Sequence, residues 1–409
     1  MTGWGRITRA WMLLLCIAGR AGAQVLPAEP IAVAGGRLTF GGDVSATIGP
    51  KDPGFFNFTD YNHSTLRMLR VDFSAAAKAG DHFSLLAEVR SENLGQVRPY
   101  ALFVRIRPWT ARNFDIQAGR VPPTFGAFTR RTYANDNPLI GYPLAYQYMT
   151  TMRANALAAS ADELLAKRSE GWALRYSVGA RTFEGGVPLV SAFRWDTGVQ
   201  VHAASRSGGV SGTVAVTSGT VSNPRVRDDN GRPQLAGRFE WRPVSGLVAG
   251  GSRAWGPFLS RDAARAALGA LDVDTSAFTQ TAWGGDLEYS RDHYVLRFEL
   301  VESGWRLPTV AAPALPQPLS ALATSVEGRY KLRPGLYVAS RVDHLGFSAI
   351  TGTGRTLPWD APVTRIEAGL GYSLQRNLLL KVAYQHNRRD GGRLEKIDNF
   401  PAAQLVFWF

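Results

Sequence analysis

The 409-residue chain is 45% hydrophobic and 19% charged, with a formal net charge of +13, 43 glycines and 23 prolines. That glycine and proline content excludes a helical bundle, and its even spread excludes a collagen-like or low-complexity chain. The single cysteine excludes a disulfide scaffold and a cysteine-based zinc site.

Residues 1–23 read as a secretory signal. Arg6 and Arg9 give a basic start, Trp11 to Ala18 a short apolar core, and Ala21-Gly22-Ala23 a small-residue cleavage site before Gln24. The only cysteine, Cys16, leaves with that signal. An exported chain gives its basic excess no cytoplasmic nucleic acid to bind. Forty of the 46 basic residues are arginine, so any ion-binding surface is a guanidinium surface. Residues 24–36 read as a linker.

From residue 37 onward, segments alternate strictly between apolar and polar residues. Leu38, Phe40, Val44, Ala46 and Ile48 share one face, with Arg37, Thr39, Asp43, Ser45 and Thr47 on the other. The pattern returns at 83–90, 102–107, 235–242, 296–300 and 365–372. Period two is the signature of a half-buried strand, and about ten residues is the length a tilted strand needs to cross a bilayer. A soluble sandwich would bury large aliphatics between its sheets. Here the apolar face is thin, and the polar face carries arginine and carboxylate on almost every strand, which suits lipid outside and water inside. Arg67 falls on the apolar face of its segment and requires an interfacial position or a bulge.

The connections fall into two classes. Short ones occur at 79–81, 108–112, 205–209, 242–246, 290–293, 331–335 and 373–377. Long ones occur at 50–63, 122–192, 221–233, 256–278, 305–321, 347–361 and 388–400, with 91–97 a shorter member. Short turns on one side and long loops on the other, with Trp109, Trp241, Tyr289, Tyr294, Tyr330, Tyr337 and Tyr372 as an aromatic belt beside the short turns, mark a membrane barrel. The expectation is an all-β, transmembrane antiparallel β-barrel over 37–409 with about 16 strands. Eighteen follow if 171–182 pairs with a further strand; otherwise that segment belongs to the long third loop at 122–192. Ser160 and Glu163 predict a capped helix inside this loop, with Lys167 and Arg168 in its last turn. A second short helix is expected at 261–270.

The chain stops at Ala403-Gln-Leu-Val-Phe-Trp-Phe409, alternating and ending on phenylalanine. This resembles the terminal strand of bacterial outer-membrane proteins, which implies recognition of Phe409 by the barrel-assembly machinery. Gly119-Arg-Val-Pro-Pro-Thr-Phe-Gly126 opens the third loop. It resembles the corresponding segment of the phosphate-selective porin-like family, whose members form 16-stranded channels, although Thr124 interrupts the pattern. The resemblance implies an anion-preferring architecture. Six lysines in all do not make the dense lysine lining that phosphate selectivity requires.

Inward residues two apart read as opposite charges: Arg70/Asp72, Glu88/Arg90, Arg194/Asp196, Arg238/Glu240, Arg297/Glu299, Glu327/Arg329, Arg341/Asp343 and Arg365/Glu367. They predict a wall of cancelling ion pairs. Arg105 and Arg107 share a face with no carboxylate between them. With Arg120, Arg130, Arg131 and Arg153 they form the candidate anion-attracting constriction, because guanidinium groups in a low-dielectric neck attract anions and repel cations. Arg130, Arg131 and Arg153 have an alternative, outside the barrel on lipopolysaccharide phosphates. Tyr133, Tyr142, Tyr146 and Tyr148 pack the loop against the wall or form a stacking surface for sugars.

No catalytic, metal or cofactor site is expected. His63-Ser64 falls at the end of the first loop and His202 near the opposite end of its strand, no nucleophile elbow occurs, and Asp228-Asp-Asn-Gly231 lacks the ligand spacing of a calcium loop. The sequence therefore points to an outer-membrane diffusion channel passing small hydrophilic solutes with a preference for anions, surrounded by membrane lipids and lipopolysaccharide, with a homotrimer as the assembly open to a channel of this size. A barrel closed by its loops, structural or adhesive, is the alternative.

Overall fold

The computed structural model describes residues 29–59 and 63–409; the expected leader and residues 24–28 lie outside the described residues. Sixteen antiparallel strands form the wall. They are β1 (Leu38–Ile48), β2 (Leu69–Ala79), β3 (Phe83–Glu92), β4 (Arg98–Ile106), β5 (Phe114–Val121), β6 (Asp196–Ala204), β7 (Val210–Thr217) and β8 (Gln234–Trp241). The second half is β9 (Leu247–Pro257), β10 (Thr279–Arg291), β11 (Tyr294–Trp305), β12 (Leu319–Arg333), β13 (Leu336–Phe347), β14 (Val363–Gln375), β15 (Leu378–Arg389) and β16 (Ile397–Trp408). Each strand pairs with the next in the chain. β16 returns to β1, with Val44 opposite Phe407 and mutual backbone bonds of 3.0 Å between Gly42 and Phe409. The sixteen long strands thus close on themselves, as backbone groups in lipid require, and within the expected linker Ile31–Val33 adds a short exposed edge strand against Leu38–Phe40.

Alternation sets the two surfaces. On β8, Leu235, Phe239 and Trp241 are exposed outward, whereas Arg238 and Glu240 are buried inward. Trp109, Trp241, Tyr294, Tyr330 and Tyr372 are exposed beside the short turns, as an interfacial belt requires. Tyr337 departs from that expectation. It shares the inward face with Arg341, and its hydroxyl donates to the Pro138 carbonyl at 3.0 Å. Arg67 is exposed just before β2, so its expected conflict with the apolar face does not arise.

The strand count is sixteen because 171–182 stays within the third loop. Only Val178–Gly179 is strand there, paired with Ala156–Leu157 of the same loop. This loop also holds α1 (Leu144–Gln147) and α2 (Ala161–Ala166). The Ser160 hydroxyl accepts from the Glu163 amide at 3.3 Å, and the Glu163 carboxylate from the Ala159 amide at 2.6 Å. Helix α2 stops one turn short of the expected end. Helix α3 (Arg261–Leu268) ends on Gly269 in the left-handed region. The largest buried apolar cluster joins Phe125, Phe128, Tyr142, Tyr146 and Phe193 of the third loop to inward wall residues such as Ala282 and Leu319. The core of this molecule therefore sits in the lumen.

Candidate functional site: the third loop and the lumen

The Gly119–Gly126 segment turns the chain inward. Gly119 has φ +128°, and a Cβ there would lie 2.4 Å from the Leu102 carbonyl oxygen. Phe125 then buries its ring against Gly284 of β10, where a Cβ would come within 3.1 Å of it. The Gly126 amide donates to Ser252 Oγ of β9 at 3.1 Å, and the Ala127 amide to Glu299 of β11 at 2.7 Å. The chain thus crosses from β5 to the far wall within a few residues.

From there the wall charges hold the loop, chiefly by its main chain. Glu367 of β14 accepts from the Ile140 and Gly141 amides at 3.1 and 2.8 Å. Arg341 of β13 donates to the Gly141 carbonyl at 2.7 Å, and Arg365 of β14 to the Tyr142 carbonyl at 2.8 Å. Lys381 of β15 donates to the carbonyls of Ala134, Asn137 and Leu139 at 2.7, 2.9 and 3.1 Å. Hydroxyls add to this: Tyr133 donates to Glu88 at 2.7 Å, Tyr146 donates to Glu299, and Tyr142 accepts from Arg70. Tyr142, Tyr146 and Tyr148 are buried, so these aromatics pack the loop and present no stacking surface.

Charge cancellation is real but runs mostly between strands. Arg238–Glu240 and Arg341–Asp343 pair within a strand at 3.0 and 3.1 Å. Arg70 instead reaches Glu92 at 3.0 Å, Arg90 reaches Asp72 at 2.5 Å, and Arg297 reaches Glu288 and Glu327 at 2.6 and 2.8 Å. Residues directly opposite on adjacent strands are about 5 Å apart, closer than residues two apart on one strand. Arg341 gathers Glu327, Asp343 and Glu367 at 3.3, 3.1 and 2.8 Å.

The six candidate arginines lie in separate places. Arg105 is inward and pairs with Asp115 of β5 at 2.9 Å. Arg107 lies beyond the end of β4, exposed in a short turn, its amide bonded to the His82 carbonyl at 2.8 Å. Arg120 occupies the outward register opposite Leu102. Arg130 and Arg131 are in the lumen, paired with Glu240 and Glu327 at 2.8 and 2.9 Å. Arg153 is buried inside the loop, donating to the carbonyls of Leu174 and Thr182 at 2.6 and 2.9 Å. Its guanidinium ties the loop to itself. Burial holds it below the usual range, against the pull of Glu184 at 3.2 Å.

Elsewhere, His202 hydrogen-bonds Thr213 at 2.9 Å on the wall, far along the barrel from His63 and Ser64 in the first loop. Asp228 accepts from the Asn230 and Gly231 amides at 3.0 and 2.6 Å, a turn closed on itself. Among the described residues no group of three metal-ligating side chains comes together.

Open space remains beside β5–β8. A cavity of about 280 Å³ on the long-loop side is lined by Asn155, Glu184, Arg194, Ser222, Asn223 and Arg225. Arg194 also lines a constricted space of about 40 Å³ with Thr124, Phe125, Asp196, Thr217, Gln234 and Ala236. Below it, Thr124 donates to Gln200 at 3.0 Å, and Gln200 to Gln117 at 2.8 Å. A further cavity of about 200 Å³ lies under the loop, lined by Arg130, Arg131, Arg238, Glu240, Asp286 and Arg297. Gln200 and Gln234 give no signal in the sequence because neutral inward side chains carry no charge, and Thr124 stands out there only as a break in the Gly119–Gly126 pattern.

No protein-family model and no curated protein matches the chain. Solved structures do. OmpF of Salmonella typhi, in complex with daunomycin, aligns with a TM-score of 0.57 at 13% identity, covering 93% of this chain and 100% of that one. The anion-selective porin from Comamonas acidovorans aligns with a TM-score of 0.55 at 9% identity, over 91% and 99% of the two chains. The fold is that of the sixteen-stranded porins. The outer-membrane channel DcaP of Acinetobacter baumannii shares it as well, with a TM-score of 0.50 at 14% identity over 91% and 97% of the two chains. Within this porin fold, the third loop is held on the wall strands from β8 round to β3, with gaps beside β5–β8 and a further cavity beneath it at β8–β11.

Proposed function

We propose that this chain is a diffusion channel of the bacterial outer membrane, exported by its leader and passing small hydrophilic solutes with a preference for anions. The observation that carries this reading is the series of spaces beside β5–β8, with Arg194 bordering both the outer cavity and the narrow space below it. Transport is passive. The narrow space, lined by Thr124, Thr217 and Gln234, limits size, and its hydroxyl and amide groups replace hydration water. Arg130 and Arg131 border the inner cavity, where Arg238, Arg242 and Arg297 join them opposite Glu240, Asp286, Glu288 and Glu299. Glu327, paired with Arg131 and Arg297, balances the fifth guanidinium, so in this reading the anion preference comes from the half-exposed Arg130 and from Arg194 at the outer cavity. In this reading Arg105 acts from the wall and Arg107 from the rim. Arg120 and Arg153 contribute through the field of the loop and its setting. Lipopolysaccharide phosphates are partners for rim arginines such as Arg181 and Arg355, and Phe409 is the contact for the barrel-assembly machinery.

The test is the zero-current potential of the folded protein in a planar bilayer under a salt gradient. The expected result is anion-selective reversal, weakened in Arg130→Ala/Arg131→Ala and in Arg105→Ala. A cation-selective reversal overturns the arginine assignment and keeps the channel. Absence of conductance from a folded barrel supports a second reading, a closed structural barrel, which the apolar lumen core of Phe125, Phe128, Tyr142 and Tyr146 favours.

A further inference from the structure

The narrow space beside β5–β8 has a lining unlike that of the two larger cavities. The outer cavity offers Asn155, Ser222, Asn223 and Arg225, and the inner one is bordered mostly by arginine and carboxylate. The narrow space is closed chiefly by Val121, Pro122, Pro123, Val190, Val221 and Pro224. Three of these are prolines, which bring no N–H. The polar groups that border the space bond within the protein. Thr124 donates to Gln200 at 3.0 Å, and Gln234 accepts from the Val221 amide at 2.7 Å and donates to Thr217 at 3.1 Å. Asp196 accepts from the amides of Thr197, Gly219 and Arg225 at 2.9, 3.0 and 2.9 Å, so its carboxylate serves the 218–225 connection. These groups replace the water around a passing ion only in part.

Two further groups carry donors here. The Arg194 guanidinium borders both this space and the outer cavity. Ser191 lines the space as well. It is 1% exposed, and its hydroxyl has no hydrogen-bond partner among the described residues. A buried hydroxyl in that state is unfavourable unless something supplies the partner. An inorganic anion entering the space sheds water that apolar walls do not replace. A hydrocarbon group gains from the same walls. The space is about 40 Å³. At roughly 10–15 Å³ for each water-sized group, that is room for about three heavy atoms.

We propose that the narrow space is a binding site for short-chain monocarboxylates. Arg194 holds the carboxylate, with the Ser191 hydroxyl as a second donor, and a chain of about three carbons lies between Val121, Val190 and Val221. The inference rests on the channel reading and narrows it: among anions, the path favours a small organic acid over a hydrated inorganic ion.

The experiment is a saturation-transfer NMR titration of the folded, detergent-solubilised protein with sodium acetate, propionate, butyrate and hexanoate near neutral pH, with heat-dependent gel mobility confirming the barrel. The expected result is affinity rising about fourfold per methylene from acetate to butyrate and levelling off at hexanoate, whose added carbons find no further apolar wall. Butyramide, which lacks the charge, should bind about tenfold more weakly than butyrate. Arg194→Gln should erase that difference, and Ala236→Phe, which fills the space, should erase the dependence on chain length. A rise that continues through hexanoate and survives Ala236→Phe is partition into detergent and overturns the inference. So does equal binding of butyrate and butyramide by the wild type. Planar-bilayer conductance of the same preparations keeps the two readings apart. A barrel that binds in the expected pattern and passes no current removes the channel reading alone, and a conducting barrel without the pattern removes the inference alone.

Discussion

Two sectors of the same wall treat the third loop differently. From β11 to β15 the inward charges grip it: Glu299, Arg341, Arg365, Glu367 and Lys381 all bond loop atoms. From β5 to β7 the inward residues are mostly neutral, as with Gln117, Gln200, Thr213 and Thr217, and the open spaces lie near them and β8. Charge in this lumen is therefore largely structural. A guanidinium that bonds three carboxylates and a carbonyl has little left for a passing ion, and the number of lumen arginines overstates the field a solute meets.

The contrast is tested most severely at Glu367. Glu367→Ala removes one of the three carboxylates of Arg341 and leaves the Ile140 and Gly141 amides without their acceptor, each unsatisfied buried amide costing about 1–3 kcal/mol. The expected outcome is a lower denaturation midpoint, new protease cleavage between 125 and 148, and larger single-channel conductance. A milder version is Gly141→Ala, whose Cβ would lie 2.5 Å from Gln385 Nε2 and 2.7 Å from the Glu367 carboxylate. Crowding of that kind costs about 1–3 kcal/mol, readable in the same melts.

In the other sector, Ala236→Phe should cut conductance severalfold by filling the narrow space while its melt stays nearer to wild type than that of Gly141→Ala. Equal loss of stability in the two variants would erase the distinction between sectors.

The smallest effect is at the rim. The Thr353 hydroxyl and amide bond Asp162 of α2 at 2.5 and 2.9 Å and hold its carboxyl below the usual range. A depressed carboxyl contributes stability above its unfolded value, and that contribution fades as pH falls through the folded one. Amide exchange at Thr353 should therefore be flat, after correction for intrinsic rate, from neutral pH to about 5. Protection should fall only below about pH 4.

Much of this was legible in the sequence. Period-two alternation located the strands, their faces and both classes of connection, because each depends on residues adjacent in the chain. Ser160 announced helix α2 for the same reason. The lumen was harder. Arg105 has no visible partner in the sequence because its carboxylate, Asp115, sits on the next strand, reached only through the hairpin register. Arg153 carries no local sign of its partners, since its bonds go to carbonyls more than twenty residues on. The path of 125–148 across the barrel is long-range throughout, and no local period records it.

The manner of docking has an evolutionary consequence. Glu367, Arg341, Arg365 and Lys381 bond main-chain amides and carbonyls, groups that every residue but proline supplies in full. Side chains between 130 and 148 that avoid the Gly141 pinch can therefore change with little loss of anchorage. A lineage of such barrels could retune what passes by drift within the loop, while its wall charges stay fixed as a socket that reads backbone.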